Sequence, residues 1–227
     1  MIRRQLRYFW RLALIWALLL PACAPSPTPV TEVDATTTTF NDDFSVANEV
    51  WTTFDAPESA AYVQQGELYL EDRGRGIGVY TQLLEQKLAN AGIQNASIQN
   101  ASIQVTVRHV EGSQDNWMGA ICRQQDEENY YLFAISADGY YLILKVEAGF
   151  PTPLVGPAAA DAIHTGRDRN TLEMRCEGDT LTFKINDTFT VTQTDASFPA
   201  GGVALFTDAV RGGMTTTAFD DFALLQP

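Results

Sequence analysis

Residues Leu172–Ile185 read LEMRCEGDTLTFKI, two alternating runs separated by Glu177-Gly178-Asp179. Leu172, Met174 and Cys176 alternate with Glu173 and Arg175, then Leu181, Phe183 and Ile185 alternate with Thr182 and Lys184. A side-chain period of two, broken by a Gly-Asp turn, is the pattern of a hairpin with one face in a core and one in water. The same period recurs upstream, where Ile103, Val105, Val107 and His109 oppose Gln104, Thr106 and Arg108. Further strands are expected at Glu67–Leu70, Gly78–Gln82, Trp117–Arg123, Tyr130–Ile135, Tyr140–Glu147, Phe189–Thr194, Val203–Thr207 and Thr215–Leu225. Only Leu83–Asn90 reads as helical. Many short strands without a composition break predict an all-β, two-sheet antiparallel sandwich as one domain over residues 40–227. The pentapeptide Asn95–Gln99 is repeated at Asn100–Gln104. Five is odd, so one copy is expected in a loop or bulge rather than extending the strand.

The first 39 residues have another character. Arg3, Arg4, Arg7 and Arg11 precede the apolar run Leu12–Leu20. A nine-residue helix spans about 14 Å, too short to cross a bilayer, so residues 1–22 read as a signal peptide. Leu20-Pro21-Ala22-Cys23 resembles the lipobox of bacterial lipoproteins, which implies cleavage before Cys23 and lipidation of its sulfur; Pro21 departs from the usual pattern. Residues 23–39 then form a Pro/Thr-rich linker between a membrane anchor and the domain.

The whole chain of 227 residues has a net charge of −13, and signal cleavage would remove four of its 15 basic residues. Such acidity speaks against a phosphate-binding face, so no nucleic-acid partner is expected. Beyond Cys23, the two cysteines Cys122 and Cys176 are an even pair in an exported chain, and a disulfide is expected, with two buried thiols as the alternative. If they pair, Met118 and Ala120 face inward with Cys122, while Trp117, Gly119, Ile121 and Arg123 face outward.

A succession of short motifs points to a family. Asp42-Asp43-Phe44 and Trp51 open the domain; Gly119–Arg123, Glu128–Phe133 and Asp138–Tyr141 follow. Asn170-Thr171-Leu172, Cys176-Glu177-Gly178 and Ile185-Asn186 come next, and Phe219–Phe222 closes it. In this order they resemble bacterial surface lipoproteins with a concanavalin A-like (laminin G-like) jelly roll, among them 3-keto-disaccharide hydrolase-like domains. The resemblance implies two curved antiparallel sheets and a concave face or loop rim that binds sugars.

Little in the sequence speaks for catalysis. His109 reads as a strand residue and His164 lies in a polar stretch. Spaced metal-ligand motifs, a phosphate loop and the E-x-D-x-(x)-E strand motif of jelly-roll laminarinases are absent. No cofactor is required. A structural calcium is the one ion suggested, because Asp42, Asp43, Asp220 and Asp221 sit at the two ends of the fold, where jelly-roll termini commonly meet. Trp117, Arg123, Tyr130 and Tyr140, on three successive strands, are the candidate carbohydrate-binding set. The expected function is a surface-anchored domain that binds glycan without catalysis; the alternatives are a structural or protein-interaction module and a keto-disaccharide hydrolase-like enzyme. Calcium at the paired aspartates predicts a melting temperature that falls on chelation; a melting curve indifferent to chelator removes that site.

Overall fold

The computed structural model describes residues 38–46, 49–74, 76, 78–84 and 98–226. The signal peptide, Cys23, the linker up to residue 37, most of the expected helix Leu83–Asn90 and Asn95–Ser97 of the first pentapeptide copy lie outside the described residues.

Fifteen strands are described. They are β1 (Thr38–Asp42), β2 (Phe54–Ala56), β3 (Ser59–Gln64), β4 (Glu67–Asp72), β5 (Val79–Gln82), β6 (Ala101–Gly112), β7 (Asn116–Asp126) and β8 (Asn129–Ile135). Next come β9 (Tyr140–Glu147), β10 (Phe150–Ala159), β11 (Asn170–Glu177), β12 (Thr180–Ile185), β13 (Phe189–Thr194), β14 (Gly202–Ala209) and β15 (Thr215–Gln226). One sheet runs β13-β12-β11-β6-β15-β4-β3-β2, with β1 added to β15; the other runs β10-β9-β8-β7-β14-β5. The strands in both sheets pair antiparallel.

Alternation explains the packing. Ile103, Val105 and Val107 of β6, with Leu172, Met174 and Cys176 of β11, are fully buried against Met118, Ala120 and Cys122 of β7 and Tyr131, Phe133 and Ile135 of β8. Each large apolar side chain so buried contributes roughly 1.5–3 kcal/mol. Cys122 and Cys176 form a disulfide that joins the two sheets. With a sequence separation of 54, the chain-entropy treatment assigns roughly 4 kcal/mol to this link.

Three features depart from the sequence expectation. β10 carries Pro151, Pro153 and Pro157, yet it is a strand, because it pairs only with β9 and its other edge needs no donors. β1 begins at Thr38, inside the expected linker, because it lies along the last five residues of β15 (Thr38↔Gln226 to Asp42↔Phe222). The third departure is Arg123. Between Ile121 and Gln124, β7 carries one extra residue against β14, and Arg123 adopts φ +52°. This bulge turns Arg123 inward instead of outward, leaving it 3% exposed. Its guanidinium donates to the carbonyls of Gln99 (2.9 Å), Phe198 (3.0 Å) and Gly178 (2.6 Å), so it clamps three loops at one end of the sandwich.

The fate of the pentapeptide repeat agrees with its odd length. The second copy enters β6 at Ala101, whereas Ile98 of the first copy makes only an isolated bridge to Gly201. Replacing Arg123 with Met leaves three carbonyls without their donor. It should lower unfolding stability by about 3 kcal/mol, measured by denaturant melting of the oxidised protein, and a loss under about 1 kcal/mol would contradict the clamp.

Candidate functional site

The six-stranded sheet is apolar on both faces. Its outer side chains Ile121, Leu132, Ala134, Leu142, Ala204 and Phe206 form a second buried cluster, against which Tyr80, Trp117, Tyr130 and Leu144 pack. Register explains why these residues meet. Tyr80 lies opposite Phe206, Phe206 opposite Gly119, and Gly119 opposite Ala134, which lies opposite Leu142. In the next row Asp208 lies opposite Trp117. Small side chains at Gly119, Ala134 and Ala204 thus sit between larger, ring-bearing ones. The Phe206 ring lies against Gly78, where a Cβ would collide with it. Tyr140 is on the same side of β9 as Leu142 and is 44% exposed, while Tyr141 points into the main core and packs on Phe189.

A cleft of about 520 Å³ opens at this face, lined by Tyr80, Gln82 and Tyr130 with Thr52, Phe54 and Ser59 on one side and Glu127, Val146 and Gly149 on the other. Two polar groups stand out. Gln82 donates from Nε2 to Gln124 Oε1 at 2.9 Å, while the Nε2 of Gln124 itself is enclosed without a protein acceptor. Asp208 is half-buried, and its carboxyl makes no hydrogen bond or ion pair among the described residues. Burial, and secondarily the negative charge of Asp72, push its pKa up to about 6. Tyr130 is pushed up to about 12, first by burial and then by the nearby Tyr80 and Asp208. These three groups therefore share one poorly solvated patch. None of the strands of this sheet places a Lys or Arg on the outer face among the described residues.

The structure brings Trp117, Tyr130 and Tyr140 of the expected set to one face and removes Arg123 from it, because the bulge sends that side chain to the loop carbonyls. Tyr80 and Asp208 join the face without having been singled out in sequence. Both lie on short strands distant in the chain, and only the β5–β14–β7 pairing places them beside Trp117.

The four aspartates of the DDF triplets have separate tasks. Asp42 accepts from the Phe44 N–H and from Trp51 Nε1, both at 2.9 Å, and Asp43 accepts from the Ser45 N–H and hydroxyl. Asp220 is ion-paired with Arg169 at 2.8 Å, and Asp221 accepts weakly from the Thr106 hydroxyl. Among the described residues no three His, Cys, Asp or Glu side chains come together to hold a metal ion. His109 is buried beside Val107, with its pKa lowered mainly by burial, and His164 Nδ1 meets the Arg169 carbonyl.

No family model and no curated protein matches this chain. Solved structures do. The chain is similar to the GH43 BlXynB protein from Bacillus licheniformis, with 15% identity and a TM-score of 0.57 over 82% of this chain and 39% of that one. It is similar to the CBM2 module of the evolved Dit of Lactobacillus casei BL23 phage J-1, with 13% identity and a TM-score of 0.53 over 84% and 96%. It is also similar to a double-cysteine variant of alginate lyase A1-II′, with 13% identity and a TM-score of 0.51 over 77% and 85%. The shared feature is the fold, a concanavalin A-like jelly-roll sandwich.

Asp208 holds its proton to higher pH in the folded state than in the unfolded chain. The cost of burying its charge is therefore absent below about pH 3.8, grows as pH rises to about 6 and stays constant above that. Asp208→Asn should raise the melting temperature at pH 8 and leave it nearly unchanged at pH 4; equal shifts at both pH values would refute the unpaired, desolvated carboxyl.

Proposed function

We propose that this chain is an exported protein, anchored at the membrane through Cys23, whose jelly roll binds a carbohydrate chain on the outer face of the six-stranded sheet. The observation that carries this reading is the half-buried Asp208 carboxyl, unpartnered among the described residues, on a face lined by Trp117, Tyr80 and Tyr130. Sugar rings offer C–H surfaces that pack on aromatic rings and hydroxyls that donate to a carboxylate, so they match both halves of this surface. A desolvated acid left without an internal donor is costly to stability and is retained where a ligand supplies the partner.

The fold is that of a solved CBM2 module, which supports binding without specifying the ligand. The core disulfide supports an oxidising, extracytoplasmic location. Non-catalytic binding fits the carboxyl count. Glycosidic cleavage by an acid–base pair needs two carboxyls within about 10 Å, and the carboxylate whose charge acts on Asp208, Asp72, accepts from the backbone N–H groups of Gly74 (3.0 Å) and Ala209 (2.9 Å).

From Trp117 to Gln124 the β7 face extends roughly 20 Å, so an oligomer rather than a single sugar is expected to fill it. A broad glycan array should show selective binding to the intact protein. Trp117→Ala and Tyr130→Ala should each weaken that binding at least about tenfold, or ~1.4 kcal/mol, with the circular-dichroism spectrum and melting curve retained. Undiminished binding in both folded variants would place the ligand elsewhere on the molecule.

A further inference from the structure

The outer face of the six-stranded sheet is one-sided in charge. Among the described residues, the basic groups near it are paired with acids, turned into the loop clamp or placed past the end of a strand. Lys145 lies on the opposite side of β9 from Leu144 and pairs with Glu147 (3.1 Å) and Asp195 (3.6 Å). Arg123 is turned into the loop clamp, and Arg73 is held by Asp55 and Glu71 on the other sheet. Arg211 lies past the end of β14, in the 3-10 turn Val210–Gly212. What remains on the face is acidic. Asp208 stands in it, Glu127 lies at the cleft rim, and Asp72 lies behind Asp208. Tyr130 on this face keeps its phenol proton to higher pH than usual because of burial, and the Tyr80 ring packs against the same cluster.

Asp208 also differs from the other well-buried acids. Glu67 is held by Arg108 and Arg169, Asp72 by two backbone N–H groups, Asp42 by Trp51 and Asp195 by the Tyr131 hydroxyl and the Ser197 N–H. Asp208 has no such donor among the described residues, and its neighbours are aromatic rings, whose π faces attract cations. A ligand that brings a positively charged N–H donor to this spot satisfies the carboxylate and the rings together.

We infer that this face is charge-selective: it takes chains of amino sugars bearing protonated amines ahead of neutral chains and rejects acidic ones, with Asp208 as the residue that reads the charge. The inference rests on the carbohydrate-binding reading above. A protonated amine gives Asp208 a charge-assisted hydrogen bond in a poorly solvated setting, where it is stronger than in water. The N-acetylated sugar keeps the same ring and loses the positive charge, whereas a uronate brings its carboxylate towards Asp208, and like charges at close range in such a setting repel strongly.

The test is isothermal titration of the full-length, detergent-solubilised protein at about pH 6.5, above the raised Asp208 value of about 6. The probes are a β-1,4-glucosamine hexamer, its fully N-acetylated counterpart and an oligouronate of equal length. The expected result is about tenfold tighter binding of the glucosamine oligomer than of the acetylated one, with no heat from the uronate. Asp208→Asn should bring the ratio of the first two to about one. Equal binding of the two hexamers by the native protein, or a preference that survives Asp208→Asn, overturns charge reading by Asp208. Silence towards all three, with a neutral chain bound elsewhere on a broad array, overturns the charge selectivity alone; silence across the whole array overturns the carbohydrate reading and the selectivity with it.

Discussion

The disulfide between Cys122 and Cys176 sets the phase of β7, and β7 sets the phase of the sheet that carries the candidate site. Cys122 has to face β11 to reach its partner. Strand alternation then puts Met118 and Ala120 into the inter-sheet core and Trp117, Gly119 and Ile121 on the opposite face. A slip of one residue would exchange the two sets and place the Trp117 ring in the core. The pairings to β8 and β14 carry the same phase outward, so Tyr130, Phe206 and Asp208 inherit their side of the sheet from a covalent bond on the other side.

A sheet buried on both faces leaves little room for polar exceptions. Ile121, Leu132, Leu142 and Phe206 give the outer side an apolar cluster of its own, and against it a lone carboxyl is conspicuous. Burial of Asp208, which has no donor among the described residues, works against folding at neutral pH. The larger sheet treats its acids differently. There Glu67 is embedded among Arg108, Arg169 and the Tyr69 hydroxyl, and Tyr62 stacks on Tyr69 with an interplanar angle of 4° while donating to Glu71. Among the described residues, one sheet has a polar exterior whose acids are paired, and the other has an apolar exterior on which the Asp208 carboxyl has no donor. That asymmetry directs attention to the smaller sheet.

The repeated DDF triplets show how similar segments come to different uses. The first and last strands of the domain meet as expected, with Asp42 opposite Phe222 and an aromatic contact of 4.9 Å between Trp51 and Phe222. Each triplet contains a residue with a left-handed backbone, Phe44 at φ +52° and Asp221 at φ +50°. The second coincides with an extra residue in β15 against β6, which lets both Phe219 and Phe222 face the core. The consequence of that arrangement is that the carboxylates diverge, towards Trp51, Ser45, Arg169 and Thr106.

Period-two runs such as Leu172–Ile185 and Ile103–His109 determined, by themselves, the all-β class, the inward residues of β6, β11 and β12, and the interior place of His109. Alternation is a property of neighbouring residues and is legible wherever one face is buried. The disulfide was legible from an even cysteine pair in an exported chain, and the outward side of Trp117 from the alternation that this pairing implies. β10 was hidden by its prolines, whose tolerance depends on edge position, and that is a fact about the sheet rather than the segment. Arg123 was misplaced because a bulge is the local answer to a three-dimensional misfit between β7 and β14. The meeting of Tyr80, Trp117 and Asp208 was decided by tertiary structure alone: they come from β5, β7 and β14, and adjacency across strands is set by register between distant segments, which no local pattern encodes.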